Sequence, residues 1–368
     1  MVSVGIIRIF KCNWCALASL MTGKLPNKVH LVGTIGLDTA DEVFETTGKM
    51  LGRRLRRVPD GEVGGRRLWV SWQFPLLRSS PYLTSTSGPS VFGLPPLLRV
   101  ADGVSAEEIH FGELGYSREA RASYFDFLKA RQRGYLPLNV RFQVGLPTPF
   151  AILSTLCTAD AVHVTEPAYT EAMVREIATL AGAIPHGDLS MQWDVCNEML
   201  IWDGSGTFWN AALAEEDKKA AILARLKRIA ESVPSNIPLG FHLCYGDLTG
   251  GTIQRPSEPS KMIELANALI NTLTRPISYF HMPVPISASA TFFKHFEALH
   301  LNSGTELYLG LVQAADGEAG LHRRIELAQR YIQDFGIATG CGFARSRTVD
   351  AVRELLRLHA MGTCEPVA

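Results

Sequence analysis

Seven short apolar runs, each separated from the next by helical stretches, constrain this chain more than any other feature. They are VHLVG (29–33), VRFQVG (140–145), LSMQWDV (189–195), IPLGFHL (237–243), ISYFH (277–281), LYLGLV (307–312) and FGIAT (335–339). None alternates strictly between apolar and polar residues, which is how strands buried on both faces read. Between them, Leu321, Ile325, Ala328, Ile332 and Phe335 recur at helical spacing. So do Ile222, Leu226 and Ile229, behind the charged entry Glu215, Glu216, Asp217, Lys218 and Lys219. Strand-then-helix repetition implies a parallel sheet. An eighth strand is expected within 55–115, with RRLRRVPDGE (53–62) as the candidate. Eight such units predict an α/β chain with one (β/α)8 TIM barrel over 28–368 and loop insertions at its C-terminal mouth. A doubly wound open sheet is the rival, but no G-x-G-x-x-G follows the first strand. Residues 75–105, rich in Pro, Ser and Gly, read as a long loop over the mouth. Residues 1–27 carry Arg8, Lys11, Lys24, no acid and the pair Cys12 and Cys15. They read as a poorly ordered extension that adds nothing to the fold.

The charge balance narrows the partners. Lys+Arg and Asp+Glu are equal at 36 each, so the basic excess that nucleic acid or a membrane surface requires is missing. No apolar run nears the ~18 residues of a membrane span. Seven scattered cysteines do not suggest a disulfide framework and fit a reducing, cytoplasmic setting. The expected partner is a small-molecule substrate; oligomeric state is not legible.

In the predicted barrel, chemistry collects at the C-terminal ends of strands. His242 and Cys244 stand at such an end, two residues apart and therefore on one side of the strand. His281 ends the next strand, and Cys341 follows the last in a Gly-flanked turn. Imidazole and thiolate are zinc ligands, so His242, Cys244, His281 and Cys341 are the candidate metal set. Two buried small thiols and a hydrogen-bonded core histidine are the plainer alternative. Asp194 and Glu198 could bind a substrate amine or act as acid and base. Asp60 and Glu62 sit in a turn that Asp and Gly explain in part by themselves. Trp69 and Trp72 could line a planar ligand, with Trp72 the preferred binding candidate, although such pairs also serve as core. Tyr245, Asp247 and Arg345 complete the substrate-binding candidates; Arg345 and Arg347 could meet an anion or simply cap the barrel. Asp316 is a candidate catalytic acid or a helix-entry residue.

The ordered motifs VHLVGTIG, FQVGLPTPFA, MQWDVCNEM, GFHLCYGD, ISYFHMPVP, LYLGLVQAADG and IATGCGFARS resemble the superfamily of cobalamin-independent methionine synthase and uroporphyrinogen decarboxylase. The resemblance runs over about 28–346 and is closest to single-barrel, synthase-like proteins, some of which are accessory enzymes of fungal biosynthesis. It implies a zinc held by His242, Cys244 and Cys341, with His281 where the family has Glu, and Asp194 holding the substrate. It also implies folate as methyl donor. Here the chain departs from the family: the acid expected after LYLGLV is replaced by Gln313 and Ala314, neither of which delivers a proton. The expected function is therefore metal-dependent methyl or alkyl transfer to an activated nucleophile, without methionine synthesis. Alternatives are a lyase, decarboxylase or cyclase using the same mouth, or a non-catalytic degenerate barrel.

Overall fold

The computed structural model describes residues 25–88, 96–205, 209–213, 217–246, 256–345 and 347–366. Its centre is a parallel sheet of seven strands: β1 (Arg57–Pro59), β4 (Arg141–Pro147), β5 (Leu189–Val195), β6 (Leu239–Leu243), β7 (Tyr279–Pro283), β8 (Glu306–Val312) and β9 (Gly336–Thr339). Spatial order follows chain order and every pairing is parallel. The sheet curls until both edges reach Val29, which bridges to Leu55 beside β1 and to Ile337 in β9. This is a TIM-like curled sheet, not a closed eight-stranded barrel. The expected strand 29–33 supplies isolated bridges in place of a ladder. Gly33 weakens it as a strand, and the absent side chain makes room for a neighbour: a Cβ there would lie 2.4 Å from the Glu62 carboxyl.

The strand sought within 53–62 is β1, and its basic character has a physical solution. Arg57 is buried, with its guanidinium 3.8 Å from the Tyr279 ring centroid and bonded to Glu306 at 2.6 Å. Pairing and ring stacking offset the desolvation of the charge. Across from it, Gly240 in β6 clears space for the same Tyr279 ring, whose atoms lie 2.1–2.3 Å from where a Cβ would stand.

Residues 75–105 are not simply a loop. Phe74–Ser79 is helical, and β2 (Leu83–Ser85) pairs antiparallel with β3 (Leu98–Val100). Burial of Leu83 and Leu98 gives this hairpin an apolar anchor that composition alone concealed. Within this stretch, residues 89–95 lie outside the described residues, as do 1–24 of the proposed extension. One helical stripe forms as expected and the other in part, since Ile332 and Phe335 lie beyond the helix end at Gln329. Leu321, Ile325 and Ala328 are buried on Gly317–Gln329, and Ile222, Leu226 and Ile229 on Lys218–Glu231. Asp217 caps the latter by accepting from the amides of Lys219 and Ala220.

Candidate functional site

Strand register creates the site. Asp194, His242 and His281 are paired neighbours on β5, β6 and β7, so parallel pairing places them in one row at the C-terminal ends. Cys244 follows β6, held by its amide to the Val195 carbonyl at 2.9 Å. Its sulfur lies 3.8 Å from that of Cys341, in the turn after β9. One ligand atom from each of His242, Cys244 and Cys341 falls within 4.8 Å of the others.

His281 lies beside His242, and its hydrogen bonds decide which nitrogen of His242 carries the proton. His281 Nε2 lies 2.9 Å from the Thr339 carbonyl, which only accepts. Nε2 therefore carries the proton and Nδ1 is the acceptor. His242 Nδ1, 2.7 Å away, must then donate to it. Burial lowers the His281 pKa to about 3 and holds that of His242 well below its ordinary value, so both rings are neutral. What remains is the lone pair of His242 Nε2, buried and without a hydrogen-bond partner. A histidine with an orphaned ring nitrogen, grouped with two thiols, fits a zinc-class ion. Both His281 nitrogens are occupied, so His281, expected among the ligands, stands outside the group formed by His242, Cys244 and Cys341 and orients the His242 ring. Replacing His281 with Phe keeps the bulk and removes both bonds. Metal affinity is expected to fall about 10–100-fold, measurable by competition with a chelator; an unchanged affinity would deny His281 this role.

A carboxyl pair accompanies the cysteines. Asp194 accepts from Gln192 Nε2 at 2.8 Å and from the Trp69 side chain. Burial pushes its pKa up, and the Cys341 charge adds to this. Glu62 is raised by burial first, then by Asp194 and Asp60. Among the described residues, Glu62 (φ 47°) and Trp69 (φ 54°) are the two non-glycines with positive φ. Strained backbone is retained where surrounding structure imposes it, and these two residues converge on Asp194. Asp60 serves the turn: it binds Arg66 at 2.8 Å and accepts from the Glu62 amide at 2.9 Å. Burial opposes its charge, but Arg66 prevails and keeps its pKa low. Arg345 reaches the Cys341 sulfur at 3.9 Å and acts electrostatically on both Asp194 and Glu62.

Other candidates lie elsewhere. Trp72 packs edge-on against Tyr116, centroids 4.8 Å apart; the kink at Leu68 and Trp69 sends Trp69 to the site instead. Asp316 is bonded to buried Arg324 at 2.9 Å, and that bond, the largest influence, lowers its pKa. It is thus unsuited to donate a proton at neutral pH. Gln313 donates to the Val284 carbonyl. Tyr245 is buried with its side chain towards Asp203, and Asp247 lies outside the described residues. The sequence reading passed over Cys196, whose buried thiol bonds that of Cys244 and is the largest cause of its raised pKa. Its signal was present: Asp194 and Cys196 repeat the two-residue spacing of His242 and Cys244.

Glu198 turns away from the mouth. It is fully buried and accepts from the Thr148 hydroxyl, and burial raises its pKa to about 7. A carboxyl raised in the folded state contributes stability below its ordinary pKa that is lost as pH rises through 7. Glu198→Gln is therefore expected to be more stable than the parent at pH 8, by roughly 2–3 kcal/mol, with the gap closing towards pH 5. Melting curves across that range check this; a gap that does not vary with pH would contradict it.

No family model and no curated protein sequence matches this chain. Among solved structures it is similar to a B12-independent methionine synthase from Shewanella sp. W3-18-1 in complex with selenomethionine. The TM-score is 0.58 at 12% identity, over 92% of this chain and 96% of that one. It is also similar to a putative vitamin-B12 independent methionine synthase from Listeria monocytogenes, with a TM-score of 0.51 at 14% identity, over 92% and 98%. At such identities the likeness shows the fold. Among the described residues no helix is long and apolar enough to cross a membrane.

Proposed function

We propose that this chain is a zinc-dependent enzyme of the methionine-synthase-like class, transferring a methyl or other alkyl group to a nucleophile of a small biosynthetic intermediate. One observation carries the reading: a ring nitrogen of His242 is grouped with the sulfurs of Cys244 and Cys341, and His242 keeps a buried lone pair on Nε2 without a hydrogen-bond partner. These three residues would hold the ion, which when bound supplies the positive charge that lowers the pKa of a thiol or polarises a carbonyl. His281 fixes the His242 ring. Glu62, whose carboxyl keeps its proton to higher pH than an ordinary glutamate, is the proton donor that Gln313 and Ala314 cannot be. Asp194 binds a substrate cation or takes up the proton, and Arg345 orients an anionic group. The fold shared with proteins named as methionine synthases supports the class. With the acid at Glu62 and not at the position of Gln313, where the family places it, no methionine is expected from homocysteine and methyl-folate.

A lyase or decarboxylase is the second reading, favoured by the Glu62–Asp194 pair beside Arg345, an arrangement able to move a proton next to a bound carboxylate. The test is elemental analysis of the purified protein, followed by mass spectrometry of products from thiols incubated with alkyl donors. One zinc per chain and an alkylated thiol that vanishes in Cys341→Ser are expected. Full turnover by zinc-free protein would remove the transfer reading. Turnover lost in Glu62→Gln but kept in Cys341→Ser would favour the second.

A further inference from the structure

Glu198 marks a second site, in a cleft between helices. A cleft of about 290 Å³ opens between helices Pro149–Leu156, Ala159–Ala183 and Lys218–Glu231. Pro149, Phe150, Pro167 and Ile229 give it apolar walls, and Glu198 is part of its lining. The Thr148 hydroxyl donates to Glu198 Oε1, whereas Oε2 is buried with no hydrogen-bond partner. That vacancy exists whether the carboxyl is ionised or not, and an unsatisfied buried carboxyl oxygen is costly. Arg225 on the cleft wall acts on Glu198 through its charge, yet Oε2 receives no hydrogen bond from it. Arg225 is bound by both oxygens of Glu166, at 2.8 and 3.0 Å, and Arg228 is bonded to Glu171.

We propose that this cleft binds a small primary ammonium with a short apolar body, the nitrogen held by Glu198 and the body by Pro149, Phe150, Pro167 and Ile229. An ammonium supplies the missing donor for Oε2 and places a positive charge in direct contact with it. A carboxylate would be repelled, and a neutral amide would supply no charge. The cleft is separate from the mouth, where Asp194 faces Gln192 and Trp69.

Calorimetric titration of the full chain with n-butylammonium, butyramide and butyrate tests this. The ammonium is expected to bind at least about tenfold more tightly than either competitor, the margin of a charge-assisted bond. Glu198→Gln should weaken it by a similar factor. Ala224→Phe, which fills the cleft and leaves Glu198 in place, should do the same, and it carries the test alone if Glu198→Gln fails to fold. Asp194→Asn should leave ammonium binding unchanged. Loss of binding in Asp194→Asn, preference for butyramide, or affinity indifferent to Ala224→Phe would each overturn the proposal.

Discussion

Cys244→Ala is expected to empty the metal centre. Its sulfur, 3.8 Å from that of Cys341, is one of the three donors brought together by β6 and the turn after β9. A structural zinc site contributes ~10–16 kcal/mol in all. Spread over about four ligands, this assigns roughly 3–4 kcal/mol to each, or two to three powers of ten in affinity. The loss should exceed that of His281→Phe, which disturbs a ligand's orientation and leaves the ligand in place. Elemental analysis after dialysis against a chelator measures both. Metal content equal to the parent's in Cys244→Ala would mean that the cysteines are core residues and that the ion, if bound, sits elsewhere.

Gly240→Val is expected to be the most damaging single change to the fold near the site. A Cβ at this position would lie 2.1–2.3 Å from atoms of the Tyr279 ring, well inside contact distance. The ring has nowhere to retreat. Arg57 covers one face at 3.8 Å, and the hydroxyl lies 3.2 Å from Gln192 Oε1. Backbone movement would have to spread through β6 and β7, shifting His242 and His281 with them. Overpacking of a fully buried position costs 1–3 kcal/mol and occasionally more; valine here should cost about 3 kcal/mol or more. Denaturant midpoints measure this. A midpoint close to the parent's would show that Tyr279 is looser than its contacts indicate.

The sheet was legible because strands buried on both faces leave short apolar runs. Residues 29–33 misled because their apolar residues are buried without a ladder. Burial alone writes an apolar run, whether or not the backbone pairs along it. The hairpin at 83–100 was hidden for the opposite reason, since its strands are three residues long. His242, Cys244 and Cys341 were readable from position at strand ends. What spacing could not reveal is direction. Ligand and ligand-orienting histidine differ only in which nitrogen meets which partner. Glu198, four residues beyond Asp194, lies on the helix Asn197–Trp202 and bonds Thr148 in place of the Asp194 group. Asp316 is claimed by Arg324, eight residues on, a pairing that depends on the helix between them. Trp69 displaces Trp72 through a kink with positive φ, which apolar periodicity does not encode.

The contacts around the cysteines also close on themselves. His242 meets His281, His281 meets the Thr339 carbonyl, the Thr339 hydroxyl bonds the Cys341 carbonyl at 2.7 Å, and Cys341 meets Cys244, two residues from His242. A circuit of this kind holds its shape with nothing inside it. Its donors are two sulfurs and one nitrogen, with no carboxylate oxygen among the three. Magnesium and calcium, abundant and oxygen-seeking, would find no suitable shell in such a ring. A soft thiophilic cation would find one already standing, so that the fold itself acts as the sieve.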